Sequence, residues 1–180
     1  MRLFWAQGFT ATSLDDLSTA TGMTRPSLYN AFGNKKALYR RALARFAERM
    51  RAEAGIELER HTQIGNALLA YYEATLAVYC DAPAPQGCLF FCTAVAEAAA
   101  HADIRDDLQA VIGDLDDVFE RRLRRAIDAG QLPAATDPAA LAALVQAVQH
   151  SLSIRARAGT PRVRLHQFLR ESVHTLLAPG

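Results

Sequence analysis

Residues 12–38 constrain the fold of this chain more than any other part of its sequence. Ser13 and Thr24 each stand where a side chain can cap the start of a helix, and Gly22 supplies a tight turn between the two helices. Asn34 then caps a longer third helix. Two short helices joined by a glycine-centred turn are typical of a helix-turn-helix, which places its second helix in the major groove of DNA.

The composition favours a helical protein. Hydrophobic residues make up 51% of the 180 residues, which is enough for a sizeable core, and no stretch alternates as a strand would. Gly8 is expected to end the first helix, and Asp103 and Thr160 to cap the seventh and the ninth. We therefore predict an all-α protein of about nine helices, over residues 1–7, 14–21, 25–32, 35–54, 61–80, 88–100, 103–129, 138–158 and 161–177.

Charge is unevenly distributed along the chain. Residues 1–54 contain nine Lys and Arg against four Asp and Glu, a balance of +5. Residues 55–180 contain eleven against fifteen, a balance of −4. A basic first third is typical of a nucleic-acid-binding end attached to a body that does not bind DNA. Chance clustering would give the same asymmetry, so charge alone does not decide between these interpretations.

Cysteine content and hydropathy predict the cellular compartment of the protein. Three cysteines without a repeated spacing argue against a disulfide scaffold and favour a reducing compartment. No apolar run reaches membrane-spanning length, because Glu73 interrupts residues 69–79. The N-terminus lacks the apolar stretch and cleavage site of a signal peptide. We expect a cytoplasmic protein without a membrane partner.

The order of glycine, capping, apolar and aromatic positions near the N-terminus resembles the DNA-binding domain of the tetracycline-repressor (TetR) family. The matching positions are Leu3, Phe4, Gly8, Phe9, Thr12, Ser13, Asp16, Leu17, Ala20, Thr21, Gly22, Met23, Thr24, Ser27, Leu28, Tyr29, Phe32, Lys35 and Leu38. The resemblance implies a three-helix DNA-binding domain at residues 1–45, with a first helix that starts later than usual. It implies a larger helical ligand-binding and dimerisation domain at residues 46–180. It also implies a homodimer on a palindromic double-stranded DNA operator, usually a repressor, released by a small-molecule effector.

The residues expected to contact DNA lie at the starts of the second, third and fourth helices. Arg25 can make a bidentate contact with guanine, whereas Pro26 offers only an apolar contact, such as one to a thymine methyl group. The resemblance implies that Lys35 contacts a phosphate. Each residue alone also has an ordinary structural explanation, but their common register favours DNA contact. The predicted set is Thr12, Ser13, Thr24, Arg25, Pro26, Ser27, Tyr29, Asn30 and Lys35.

Two further sets of residues are assigned to the C-terminal part. Candidates for an effector pocket, although core packing is the commoner explanation for any one of them, are Tyr71, Tyr72, Tyr79, Phe90, Phe91, Phe119 and His150. The last two helices carry more apolar surface than one protomer would cover, which predicts an isologous dimer. The predicted interface residues are Leu141, Leu144, Val148, Leu152, Leu165, Phe168, Leu169 and Leu176.

Two clusters of reactive or charged residues receive a structural interpretation. Cys88 and Cys92 share a helix face, but no histidine or carboxylate stands beside them at a ligand spacing. Buried apolar thiols are therefore favoured over a metal or redox site, and neither a metal nor a cofactor is expected. A solvated helix face paired with nearby acids is expected for Arg121, Arg122, Arg124 and Arg125.

Three functions are compatible with these patterns. A ligand-responsive repressor is favoured. An all-α enzyme or lipid-carrying module is the alternative from another class, but the five histidines match no catalytic motif, so no enzyme is expected. A constitutive DNA-binding protein without an effector is the third, and it would have a closed core.

Overall fold

The computed structural model describes residues 1–81 and 84–178. These residues contain nine helical segments and no strand. The predicted all-α class is confirmed. Between the helices predicted over residues 61–80 and 88–100, Ala82 and Pro83 lie outside the described residues. The first four segments are α1 (Arg2–Ala11), α2 (Leu14–Thr21), α3 (Arg25–Phe32) and α4 (Lys35–Met50, continued by a π-helical turn at Arg51–Gly55 and an α-helical turn at Glu57–Arg60). The others are α5 (Ile64–Tyr79), α6 (a π-helical turn at Phe90–Ala94 followed by Val95–Glu97), α7 (Ala102–Asp128), α8 (Pro138–Arg157) and α9 (Arg162–Leu176).

Helices α1–α3 form a helix-turn-helix unit whose ends are set by local capping. The hydroxyl oxygen of Ser13 accepts a bond from the Asp16 N–H at 3.1 Å, and the Asp16 carboxylate accepts one from the Ser13 N–H at 2.8 Å. This capping box starts α2. Gly22 ends α2 with φ +67°, which glycine adopts without strain. Thr24 caps α3 by accepting a bond from the Ser27 N–H at 3.3 Å.

Helix α4 follows this unit, and α5–α9 form the body of the molecule. Helix α8 packs against α5, α7 and α9, so it lies at the centre of the body. The Tyr72 side chain is fully buried between α5 and α8, and its hydroxyl donates to the carbonyl oxygen of Val145 at 2.8 Å. None of the helices in the described part of the chain combines the length and apolar character that crossing a membrane requires.

Directional contacts join α1 and α4 to the body. The indole N–H of Trp5 donates to the carbonyl of Gly87 at 2.9 Å, and the hydroxyls of Tyr39 and Thr93 share a bond of 2.7 Å. The Arg157 guanidinium donates to carbonyl oxygens of α1 at 3.0 and 3.1 Å. The first two contacts are buried, so they fix α1 and α4 firmly to the body.

Three predicted helix ends differ in the structure. Gly8, at φ +80°, does break α1, but the chain resumes a helical turn that ends at Ala11. Asp103 does not cap α7, because the helix begins at Ala102 and Asp103 lies in its first turn, where its carboxylate pairs with the ammonium of Lys36 at 2.9 Å. Thr160 does not cap α9, because the helix begins at Arg162 and its N-cap position is Pro161, while the Thr160 N–H donates to the Arg155 carbonyl at the end of α8. Both predicted caps therefore fail because the helices begin at other residues than expected.

Candidate DNA interface and internal cavity

The start of α3 presents its polar side chains to solvent. Leu28 is buried under the helix, whereas Arg25, Pro26, Tyr29 and Asn30 are exposed. Burial of a single leucine against the unit leaves the opposite face of α3 free for a duplex. The exposed face therefore has the geometry that recognition helices use in the major groove.

Hydrogen bonds within the unit arrange this face. The hydroxyl groups of Thr24 and Ser27 are 2.9 Å apart and share a bond. The Nε–H of Arg25 donates to Oδ1 of Asp15 at 2.7 Å, and its Nη2 donates to Oδ2 of the same carboxylate. This hydrogen-bonded carboxylate raises the pKa of Arg25 above its ordinary value. The Ser13 hydroxyl remains exposed at the start of α2.

Two predicted DNA contacts point into the protein instead. The Thr12 side chain is fully buried, and its hydroxyl donates to the Gly8 carbonyl at 2.6 Å. The Lys35 ammonium donates to the carbonyl oxygens of Phe9 and Thr12, each at 2.9 Å, and lies over the Phe9 ring. The unpaired carbonyls at the end of α1 attract both groups, so these side chains stabilise the unit rather than face a duplex.

A cavity of about 630 Å³ lies between α4, α6 and α7. Both π-helical turns contribute to its wall, and such turns are frequent at functional sites. Its apolar lining comes mainly from Phe46, Met50, Leu58, Val111, Leu115 and Val118. Charged side chains that are exposed at its rim are Arg51, Glu59, Asp114, Arg121, Arg124, Arg125 and Asp128.

Three of the seven predicted pocket residues line this cavity, namely Tyr71, Phe90 and Phe91. The polar group deep in the wall is Gln149, whose side-chain oxygen accepts a bond from the Tyr71 hydroxyl at 2.9 Å. Burial raises the pKa of Tyr71 well above its ordinary value, so the phenol is a neutral donor.

The other four predicted pocket residues belong to the packing behind the wall. Tyr72 and Tyr79 are fully buried, Phe119 packs edge-on against the ring of Tyr71, and His150 packs against Phe91. Sequence reasoning missed Phe46 and Met50 of α4, although their spacing of four residues marks an apolar helix face.

The arginine cluster of α7 is not a uniformly solvated face. Arg122 is only 6% exposed, and its guanidinium donates to the carbonyl oxygens of Leu58, His61 and Thr62 at 2.9 to 3.0 Å. Burial, with a smaller contribution from the charge of Arg125, lowers the pKa of Arg122. Its neighbours face the cavity rim, because successive helix positions point in different directions.

Comparison with known proteins decides the family. The model for "Bacterial regulatory proteins, tetR family" matches residues 1–42, and that for "Tetracyclin repressor-like, C-terminal domain" matches residues 65–171. The chain belongs to the TetR family. It is a DNA-binding transcriptional regulator with the family's helix-turn-helix, and response to a ligand and dimerisation are typical of TetR proteins. The family consists of regulators rather than enzymes.

Three TetR relatives illustrate the similarity. The HTH-type transcriptional repressor ComR of Escherichia coli K12 is 30% identical over 93% of this chain and 80% of its own length. A cysteine-substituted CifR, solved with 26-bp double-strand operator DNA, has a TM-score of 0.85 at 31% identity, over 96% of this chain and 90% of that one. A TetR regulator from Rhodococcus sp. RHA1 has a TM-score of 0.63 at 31% identity, over 99% and 96%.

The surface available for TetR dimerisation differs from the predicted one. Four of the eight predicted interface residues are buried inside the protomer, namely Leu141, Leu152, Leu165 and Leu169. Leu144 is 55% exposed, and Val148, Phe168 and Leu176 are half-buried. The predicted set does not include Ile154 and Val163 of the same two helices, whose apolar side chains are 62% and 70% exposed.

The cysteines of this TetR chain are thiols without a disulfide partner in the described residues. Cys88 lines the cavity and is buried, and burial raises its pKa to about 12. A neutral thiol is a poor nucleophile and a poor metal ligand. Among the described residues, no cluster of three or more His, Cys, Asp or Glu side chains is placed to hold a metal ion.

Proposed function

We propose that this chain is a repressor that binds operator DNA as a homodimer and is released by a small, mainly apolar effector. One observation carries the proposal: the 630 Å³ cavity is walled by Phe46 and Met50 of α4, the helix that directly follows the helix-turn-helix unit. A constitutive regulator would have a closed core next to α4, whereas this chain has a cavity there. The proposed DNA-binding domain is residues 1–45. The proposed ligand-binding and dimerisation domain is residues 46–180.

The proposed DNA contacts combine base and phosphate recognition. Arg25 reads guanine and Pro26 offers an apolar contact to a thymine methyl group. Contacts to bases or phosphates are proposed for Ser13, Thr24, Ser27, Tyr29 and Asn30, all of which are exposed. The operator complex solved for CifR, which is 31% identical, supports a double-stranded DNA partner.

The proposed effector is defined by the cavity wall. Its apolar body contacts Phe46, Phe90 and Val118, and one polar group bonds with Gln149 or with the arginines of the rim. Phe46 also packs edge-on against Trp5 of α1, with ring centroids 5.1 Å apart. A ligand that displaces Phe46 therefore moves the helix-turn-helix unit and changes the separation of the two recognition helices in the dimer.

Release requires only a modest movement. Successive turns of the duplex present the same groove about 34 Å apart, so a small change in separation prevents both recognition helices from docking together. Coupling between the effector and DNA of about 1–3 kcal/mol is typical of such linked sites.

The effector test uses fluorescence anisotropy with a duplex selected from a random-sequence pool. Aromatic and aliphatic compounds that raise the melting temperature are then tested for release of that duplex. Val118→Trp fills the cavity and should abolish both stabilisation and release while DNA affinity is retained. Val95→Trp, at an exposed position of α6, is the control. Release that survives Val118→Trp would place the effector elsewhere.

The sign of regulation is tested in a reporter strain with the selected duplex inside a promoter. Expression should fall when the chain is present and recover with the compound that releases the DNA. A rise in expression on DNA binding would identify an activator.

A further inference from the structure

The guanidinium of Arg25 is held along one edge. Asp15, in the first turn of α2, occupies the Nε–H and one N–H of Nη2, with 2.7 Å between Nε and Oδ1. A guanidinium has five N–H donors, so Nη1 and the second N–H of Nη2 stay available at its end. Among the described residues, the guanidinium of Arg25 donates hydrogen bonds only to Asp15.

We propose that Asp15 is a specificity-determining positioning residue that aims the free end of Arg25 at O6 and N7 of a guanine. This inference rests on the proposed function, in which α3 lies in the major groove. Bidentate recognition of guanine needs two parallel donors in one plane, and the Nη1–Nη2 end provides them while the Nε edge remains on Asp15. Asp15 itself touches no base in this arrangement.

The position of Asp15 suits this role. The capping box of Ser13 and Asp16 holds the first turn of α2, so the neighbouring carboxylate projects from a defined backbone. Asp15 and Arg25 are ten residues apart and belong to the two helices of the motif. Both side chains are exposed, and exposed ion pairs add little to folding stability. The main consequence of the pair is therefore the orientation of Arg25.

The same pair also limits contacts that carry no sequence information. A free arginine on α3 would swing toward any phosphate, because phosphate attraction is independent of sequence. Asp15 neutralises the guanidinium and restrains it, so Arg25 contributes mainly when the base edge matches. Removing the carboxylate should strengthen non-specific binding and weaken discrimination at one base pair.

The experiment selects bound duplexes from a random-sequence pool and sequences them for the wild type, Asp15→Asn, Arg25→Ala and Glu48→Gln. Glu48 is an exposed acid of α4, so Glu48→Gln is a control for the loss of one negative charge. The wild type and Glu48→Gln should select the same guanine in each half-site. Asp15→Asn should keep the half-site spacing but lose about 5- to 150-fold of the preference for that guanine, the range of one bidentate contact.

Two further measurements separate positioning from a structural role. Replacing the selected guanine by 7-deazaguanine, which lacks the N7 acceptor, should weaken wild-type binding and leave Asp15→Asn almost unchanged. The slope of log K against log salt on a random duplex should become more negative by about 0.9 in Asp15→Asn, the value for one added phosphate contact.

The outcomes also separate this inference from the function on which it rests. If Arg25→Ala selects the same sequences as the wild type, Arg25 does not read DNA and that part of the proposed function fails. If Arg25→Ala loses the guanine but Asp15→Asn keeps it at wild-type preference, only the role of Asp15 is overturned. A loss of the guanine by Glu48→Gln would attribute the effect to net charge and would equally overturn it.

Discussion

The buried Arg122 provides a sharp stability test, because its guanidinium holds three carbonyl oxygens at the end of α4. The proposed change is Arg122→Met, which keeps most of the side-chain volume but removes all donors. A hydrogen bond to a charged group contributes about 1.5–3 kcal/mol, so three bonds contribute roughly 5–9 kcal/mol in total. Desolvating the guanidinium costs several kcal/mol in the wild type, which leaves a net loss of about 2–5 kcal/mol in the variant.

The assay is chemical and thermal unfolding with a matched control. Arg124→Met changes an arginine two positions along α7 whose side chain is 61% exposed and paired with Glu120. That exposed pair should contribute about 0–1 kcal/mol. For a chain of this length 1 kcal/mol shifts the melting temperature by about 2–4 °C, so Arg122→Met should lower it by roughly 5–15 °C.

A second readout locates the effect. Hydrogen exchange should accelerate at residues 57–62 in Arg122→Met, because the carbonyls of Leu58, His61 and Thr62 lose their shared donor. Arg122→Lys should be intermediate, since one ammonium replaces a planar donor group. Equal melting temperatures for Arg122→Met and Arg124→Met would refute the reasoning.

Three other changes test separate parts of the structure. Gly87→Ala should lower the urea midpoint strongly, because the residue has φ +66° and an added Cβ would lie 2.5 Å from the Ser153 carbonyl oxygen; an unchanged midpoint would contradict this. Burial lowers the pKa of His150 from 6.5, so the free energy of unfolding should fall as pH falls below about 6.5. This fall should be shallower in His150→Gln, and an equal dependence of the unfolding free energy on pH in both proteins would count against the prediction. Leu144→Glu should convert a dimer to a monomer in sedimentation velocity, and a persisting dimer would exclude that face.

Most of the helix-turn-helix was predictable because its determinants are local. The caps at Ser13 and Thr24 and the turn at Gly22 depend on groups within about four residues, and all three are observed as predicted. The predicted caps at Asp103 and Thr160 were wrong because α7 and α9 begin at Ala102 and Arg162, so neither residue occupies the N-cap position. Lys36, which comes from another helix, takes the Asp103 carboxylate.

The cavity residues were only partly predictable, because the neighbouring helices decide whether a side chain of a given helix points toward the cavity or into the packed core. Tyr71, Tyr72 and Tyr79 all lie on α5, yet only Tyr71 lines the cavity. A tyrosine on either side of a helix satisfies the same apolar pattern. The positions of α4 and α7 decide which side of α5 borders the cavity.

The amino-acid sequence alone determined the helical class, the helix-turn-helix and the exposed start of α3, since periodicity, capping and turn geometry act between near neighbours. Tertiary packing decided that Arg25 pairs with Asp15, that Lys35 turns toward α1, and that α4 borders a cavity. These features depend on groups that the packing of different helices brings together. Long polar side chains have many conformations of similar energy, and only the folded surroundings select one of them.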